Sequence, residues 1–156
     1  MDAAVTGVAV AALVADGLLA GLSLDKVIVQ LPARARMGAV GYASYARSAD
    51  LGNGIAFYAP VGVSAAVLTV AAFGVAAGRG APAAVTGLLA AAAALAVLHS
   101  AATGKAAPTM FQIGRAADTR AALEPLLTRF ARWSTARAIA QVATLIVVAI
   151  AVGAGT

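Results

Sequence analysis

The sequence predicts an all-α polytopic membrane protein, a four-transmembrane-helix bundle with cytoplasmic interfacial helices, and three observations carry that expectation. Hydrophobic residues make up 62% of the 156 and charged residues 11%, with a mean hydropathy of +0.93. Soluble domains carry roughly 25% charge, so these residues cannot furnish a water-facing surface. Four apolar runs each approach the ~20 residues that cross ~30 Å of hydrocarbon at ~1.5 Å per residue. Ten of the 11 basic residues fall in two long connections that an even number of spans places on one side.

The first run, Ala3 to Leu24, holds Asp16 as its single charge. It begins Met-Asp-Ala-Ala with no basic stretch and is too long for a signal-peptide core, so it is expected to stay as a span. Ile55 to Ala77 and Pro82 to Thr103 carry no formal charge with His99 neutral, and a tight turn around Arg79 joins them. The last span, near 134–154, reaches full length when Trp133 to Arg137 form its interfacial first turns. Together these make one expected transmembrane domain over residues 1–156.

The connections Asp25 to Gly54 and Gly104 to Arg137 carry Lys26, Arg34, Arg36, Arg47, Lys105, Arg115, Arg120, Arg129, Arg132 and Arg137, against Arg79 alone on the other side. By the positive-inside rule they face the cytoplasm, both termini lie outside, and the host is the cell's inner (plasma) membrane. Pro32 opens a helix on which Met37, Val40 and Tyr45 fall near one face. Leu123, Leu126, Leu127, Phe130 and Trp133 recur at helical spacing in the second connection. Both segments read as interfacial amphipathic helices or as extensions of the spans. Pro32–Gly38 is also echoed by Pro108–Gly114, a hint of duplicated hairpins.

Composition excludes several function classes. Without cysteine there is no disulfide, thiol nucleophile or thiolate metal site. A single histidine excludes a multi-histidine metal centre. The basic residues are not clustered as a nucleic-acid groove requires, so no nucleic acid is expected as a partner. Membrane lipid, a lipophilic small molecule and a second copy of the chain remain. The 46 alanines and 16 glycines suit helix packing in lipid, and Gly17-Leu-Leu-Ala-Gly21 is a GxxxG pattern.

Polar residues inside apolar runs need partners. Asp16 lies roughly 13 Å from the cytoplasmic end of its span by helical rise, where an interhelical hydrogen bond or a functional acid both account for it. His99 lies about one turn inside the third span, as a helix–helix contact or as a base. Arg137, Gln141 and Thr144 follow i, i+4, i+7 spacing. Arg137 alone can snorkel to the interface, whereas Gln141 demands a protein or cavity neighbour. Asp50, Asn53 and Tyr58 share a face at the start of the second span, and Asp50 sits three residues after Arg47 as a candidate surface ion pair. The cytoplasmic ends of four antiparallel spans would gather Asp25, Asn53, Tyr58, His99, Trp133, Arg137 and Gln141 around one vestibule. A carboxylate, Asp25 or Asp50, is expected to answer Arg137.

Several phrases are similar to small four-span proteins of the anthrone-oxygenase-like family, most of whose bacterial members have no known function. They are Leu24-Asp25-Lys26, Leu31-Pro32-Ala33, Tyr45 to Gly54 (with Asp50 and Asn53) followed by Tyr58 and Pro60, and Phe130-Ala-Arg-Trp133 followed by Arg137. The resemblance implies a lipophilic polycyclic substrate and oxidation without metal, flavin or other cofactor. In an enzyme of this kind His99, Asp25, Asp50 or Asp16 would be the base. Arg137 with Asn53 or Tyr58 would hold the oxyanion, Trp133 would stack on a ring, and Tyr45 and Gln141 would complete the binding surface. Asp16 could instead serve as the acid of an isomerisation or cyclisation of an isoprenoid. A non-catalytic binder or transporter, or a structural accessory subunit, fits the same composition.

Overall fold

The computed structural model describes residues 1–155, which are helical nearly throughout and contain no strand. Helix α1 spans Ala3–Leu24, capped by the Asp2 carboxylate, which accepts the Val5 N–H at 2.8 Å. The chain then stays helical through a π-helical segment Asp25–Gln30, α2 (Leu31–Ser48), a second π-helical segment Ala49–Gly54, and α3 (Ile55–Gly78). A short turn with Gly80 at φ 63° leads to α4 (Ala83–Arg115), and a four-residue link leads to α5 (Arg120–Gly155). Three helical stretches, Ala3–Gly78, Ala83–Arg115 and Arg120–Gly155, are long and apolar enough to cross a membrane. The first of them contains two separate apolar helices, α1 and α3.

The stretch Ala3–Gly78 folds back on itself because two glycines leave helical geometry. Gly52 sits at φ −81°, ψ −117°, and Gly38 at φ 71°, ψ 170°. The second conformation is essentially reserved for glycine. A Cβ at Gly38 meets nothing within 4 Å, so any penalty there is backbone strain alone. Gly38→Ala is therefore expected to destabilise by ~1–3 kcal/mol, while Gly41→Ala in the same helix should be neutral or mildly stabilising. Comparing the melting temperatures of the two variants checks this.

Helices α1, α3, α4 and α5 pack as successive neighbours in a ring, α1 on α3 and α5, α4 on α3 and α5. Their shared core is alanine-rich: Ala9, Ala12, Ala72, Ala76, Ala92 and Ala151, with Val5, Leu89 and Val148. Large side chains point outward instead, among them Ile139 (66% exposed), Val63 (63%) and Val97 (62%). Small residues inside and bulky apolar ones outside is the arrangement a lipid surround favours. The GxxxG glycines do not make this packing. A Cβ at Gly17 would only touch Leu145 at 3.9 Å and one at Gly21 meets nothing, so alanines provide the close approach.

At one end α2 lies across the extended parts of α4 and α5. Ala39, Tyr42, Ala43 and Ala46 pack on Ala106, Met110, Ile113, Leu123, Leu127 and Phe130. The 104–137 connection is thus mostly two helical extensions, one of the two forms its periodicity allowed. Arg34 pairs with Glu124, and Arg47 with Asp118, each at 2.5 Å. Arg47 also donates to the Ile113 and Ala116 carbonyls at 3.2 and 2.9 Å, capping the end of α4. The expected Arg47–Asp50 surface pair is replaced by these contacts. The Pro32/Pro108 echo has no structural counterpart either: Pro32 sits in the first turn of α2, Pro108 lies mid-helix, and of Gly38 and Gly114 only Gly38 has a positive φ.

Candidate functional site

The polar side chains inside the ring of helices form three linkages. Thr69 on α3 donates to the Asp16 carboxylate on α1 at 2.8 Å, which is the interhelical bond that a buried acid requires. Ser23 on α1 donates to Gln141 Oε1 on α5, and the Gln141 amide nitrogen lies 3.0 Å from His99 Nε2 on α4. An amide N–H only donates, so the ring nitrogen it meets accepts. Gln141 thereby ties α1, α5 and α4 together. The third linkage is Lys26 to Asp50, at 2.6 and 2.8 Å, with Gln30 as a further acceptor for the ammonium.

Lys26 and Asp50 both sit on the π-helical segments, and both are buried, at 6% and 7% side-chain exposure. Widened turns of this kind re-aim side chains. Burial pushes the Lys26 ammonium below its ordinary pKa, and the Asp50 carboxylate works against that shift. Close by, Gly54 is needed sterically: a Cβ there would stand 2.7 Å from the Ala49 carbonyl oxygen and 2.9 Å from the Tyr58 ring. That glycine lets Tyr58 lie over the second π-helical segment.

Arg137 has a different situation from the one its sequence position suggests. It takes part in none of the four ion pairs of the described residues, and its Nε is buried without a hydrogen-bond partner. Asp50 and Tyr58 lie within electrostatic reach, but Lys26 already occupies the Asp50 carboxylate. The expected Arg137–carboxylate pair is therefore absent, because a nearer cation four residues before Gln30 takes the acid. Asp25 turns to the surface and accepts from Gln30 instead.

A cavity of about 220 Å³ lies between the two π-helical segments, α3, α4 and α5, with Lys26, Asp50, Tyr58, Thr103, Phe130 and Arg137 among its walls. A smaller void of about 80 Å³ shares Lys26, Tyr58, Thr103 and Arg137 with it and adds Ser23, His99 and Gln141. Tyr58, His99 and Thr103 then border a groove of about 340 Å³ that opens outward between α3 and α4. The structure thus brings His99, Asp50, Arg137, Tyr58 and Gln141 near one another from three regions distant in sequence.

Other candidates lie elsewhere. Asp16 is bound to Thr69 and lines none of these cavities. Asn53 is exposed, and Tyr45 is 37% exposed beside Tyr42, with ring centroids 6.0 Å apart. Trp133 lines a separate apolar groove between α4 and α5, with Leu98, Lys105 and Ile139. At about 100° per residue Trp133 is ~40° from Arg137 and ~80° from Gln141 around α5, which puts it at the edge of the polar stripe. Thr144 donates only to the Ala140 carbonyl of its own helix, at 2.8 Å.

Lys26, Ser23 and Thr69 are the functional-site neighbours that the sequence reading missed. For two of them a signal existed: Asp16, Ser23 and Lys26 are spaced by seven and three, a polar stripe running from α1 into the first π-helical segment, of the same kind as Arg137–Gln141–Thr144. Tyr42, the buried partner of exposed Tyr45, was missed as well. Its hydroxyl has no hydrogen-bond partner, and burial pushes its pKa up, so it stays a neutral phenol. Among the described residues no three His, Asp or Glu side chains are grouped as metal ligands would be. Comparison with known protein families, with curated proteins and with solved structures returns no match.

Proposed function

We propose that the chain is a four-span protein of the plasma membrane, crossing with α1, α3, α4 and α5, that binds a lipophilic small molecule in the cavity beside its two π-helical segments, toward the cytoplasmic face. One observation carries this reading: a mainly apolar cavity on which Lys26, Asp50, Tyr58 and Arg137 converge, sharing Tyr58, Ala59 and Thr103 with a groove between two apolar helices. Apolar cavities with a few convergent polar groups are the usual form of a small-molecule site. An aromatic or isoprenoid ligand, as the anthrone-oxygenase-like resemblance implies, would reach it from the bilayer.

A chemical step on that ligand is the second reading, favoured by an acid and a cation lining one cavity. Asp50 would take a proton from an acidic C–H or phenol, and Arg137 with Tyr58 would hold the resulting oxyanion. His99 is less available as base, because the Gln141 N–H occupies its ring nitrogen.

Filling the junction of the voids tests the binding reading. Thr103→Phe removes a hydroxyl that bonds only to the His99 carbonyl of its own helix, so the fold should tolerate it. Against a panel of aromatic and isoprenoid lipophiles, at least one compound should raise the melting temperature of the parent and lose that effect in Thr103→Phe. Equal shifts in both proteins, or none in either, would remove the cavity from the mechanism. Topology supplies an independent check. A reporter fused after the C-terminal residue, which lies outside the described residues, should report outside, and a tag near Ala117 inside. The reverse pattern overturns the orientation.

A further inference from the structure

The walls of the cavity between the π-helical segments, α3, α4 and α5 carry two cations, Lys26 and Arg137, and one carboxylate, Asp50. Asp50 is bound through both oxygens to Lys26. Arg137 is left with its positive charge outside any ion pair and a buried Nε without an acceptor. Enclosing such a group costs several kcal/mol unless an anion answers it. The α3–α4 groove, which shares Tyr58, Ala59 and Thr103 with that cavity, runs along Ala59, Val63, Ala66 and Val67. Ala59 to Val67 covers ~12 Å of helix axis, and Val63 and Val67, at 63% and 60% exposure, form its open rim. The space is therefore polarised, with cations at one end and a mainly apolar trough, edged by His99 and Ser100 on α4, leading away toward the middle of α3.

Resting on the intramembrane binding site proposed above, we infer that its ligand is a single-chain lipophilic anion: a carboxylate or phosphate head on Arg137, beside the Lys26–Asp50 pair, and a hydrocarbon tail in the α3–α4 groove. A neutral lipophile would leave the guanidinium unanswered. A small anion would leave the trough unused, and a cavity of about 220 Å³ holds one chain end with its head rather than two. The polarity also matches a leaflet. With the cap at the cytoplasmic surface, the cations lie at headgroup depth and the groove points to the midplane, as a fatty acid or alkyl phosphate lies in the same monolayer. Such a ligand can slide in sideways without leaving the bilayer. Arg137 suits the head because its planar fork of donors matches both carboxylate and phosphate geometry.

The test uses the full chain in phosphatidylcholine nanodiscs, with displacement of a fluorescent fatty acid as readout. Myristate or myristyl phosphate should displace the probe, and whichever is stronger identifies the head. Methyl myristate should be at least about tenfold weaker. Arg137→Gln should lower the affinity of the acid by about 10- to 100-fold, the span of a charge-assisted hydrogen bond, and leave that of the ester unchanged. Because Asp50 keeps Lys26, the unliganded variant should melt no lower than the parent. Ala66→Phe should weaken myristate while leaving hexanoate as it was. If ester and acid bind alike and both are lost in Thr103→Phe, the cavity stands and the anion inference falls. If no lipophile binds, the site itself falls. Inorganic phosphate displacing as well as myristyl phosphate would overturn the role of the groove. Should Arg137→Gln fail to fold, the acid–ester comparison on the parent protein decides the matter.

Discussion

Asp50→Ala is expected to cost the fold about 3–5 kcal/mol, the size typical of stranding one member of a buried ion pair. The Lys26 ammonium would remain at 6% exposure with Gln30 as its nearest acceptor and Arg137 as a repelling neighbour. The loss has a defined pH dependence. Burial already holds the folded pKa of Lys26 below its ordinary 10.5, and without Asp50 it falls further. Between the two values the unfolded chain binds more protons than the folded one, so stability rises with pH there. The defect of the variant should accordingly shrink as pH is raised toward the unfolded value. Lys26→Met paired with Asp50→Leu should recover most of the loss, because two apolar groups leave no charge to enclose. Melting temperatures of the four members of that cycle measure the coupling. A cost below about 1 kcal/mol for Asp50→Ala would mean that water, rather than Asp50, solvates Lys26.

Gln141→Leu is expected to cost about 2–4 kcal/mol, since it leaves two buried groups unsatisfied at about 1–3 kcal/mol each. Ser23 loses its acceptor and the His99 ring its donor, and three helices lose their shared link. Thr144→Val, one turn further along the same stripe, should cost less than about 1 kcal/mol, as its hydroxyl bonds only to its own helix. The two variants thus separate positions that hydrophobicity alone treats alike. A Gln141→Leu protein as stable as Thr144→Val would mean that the Ser23–Gln141–His99 chain carries no net energy.

The helical class and the apolar character of the helices were legible in the residues. The beginnings of α1 and α3 fall where the apolar runs begin, and α1 ends at Leu24 as that run does. Polar residues on apolar helices fall close together: Asp50, Tyr58 and Arg137 line one cavity, and His99 and Gln141 line a neighbouring void that shares Tyr58 and Arg137 with it. What failed was pairing. A helical stripe tells which way a residue faces but not which of several opposite charges stands nearest. Asp50 was therefore expected at Arg137 or Arg47 and is bound to Lys26. Trp133 failed for an angular reason: a residue at the margin of a stripe can turn to either neighbour, and here it turns to the α4–α5 groove.

Composition and periodicity alone determined that this chain is helical, that its helices suit lipid, and that its polar residues had to find partners inside. Those properties are local or additive, because hydropathy sums along a helix and a buried polar group is costly whatever surrounds it. The tertiary structure alone decided that the connection Asp25 to Gly54 would stay helical through two π-helical turns and bend at Gly38 and Gly52. It also decided that Lys26 and Asp50 would meet and that Arg137 would be left outside any ion pair in the wall of a cavity. The reason is that a π turn shifts every later side chain around the axis, and the choice among ion-pair partners turns on ångström distances between helices. No single segment contains that information; it arises only when α1, α3, α4 and α5 close around one another.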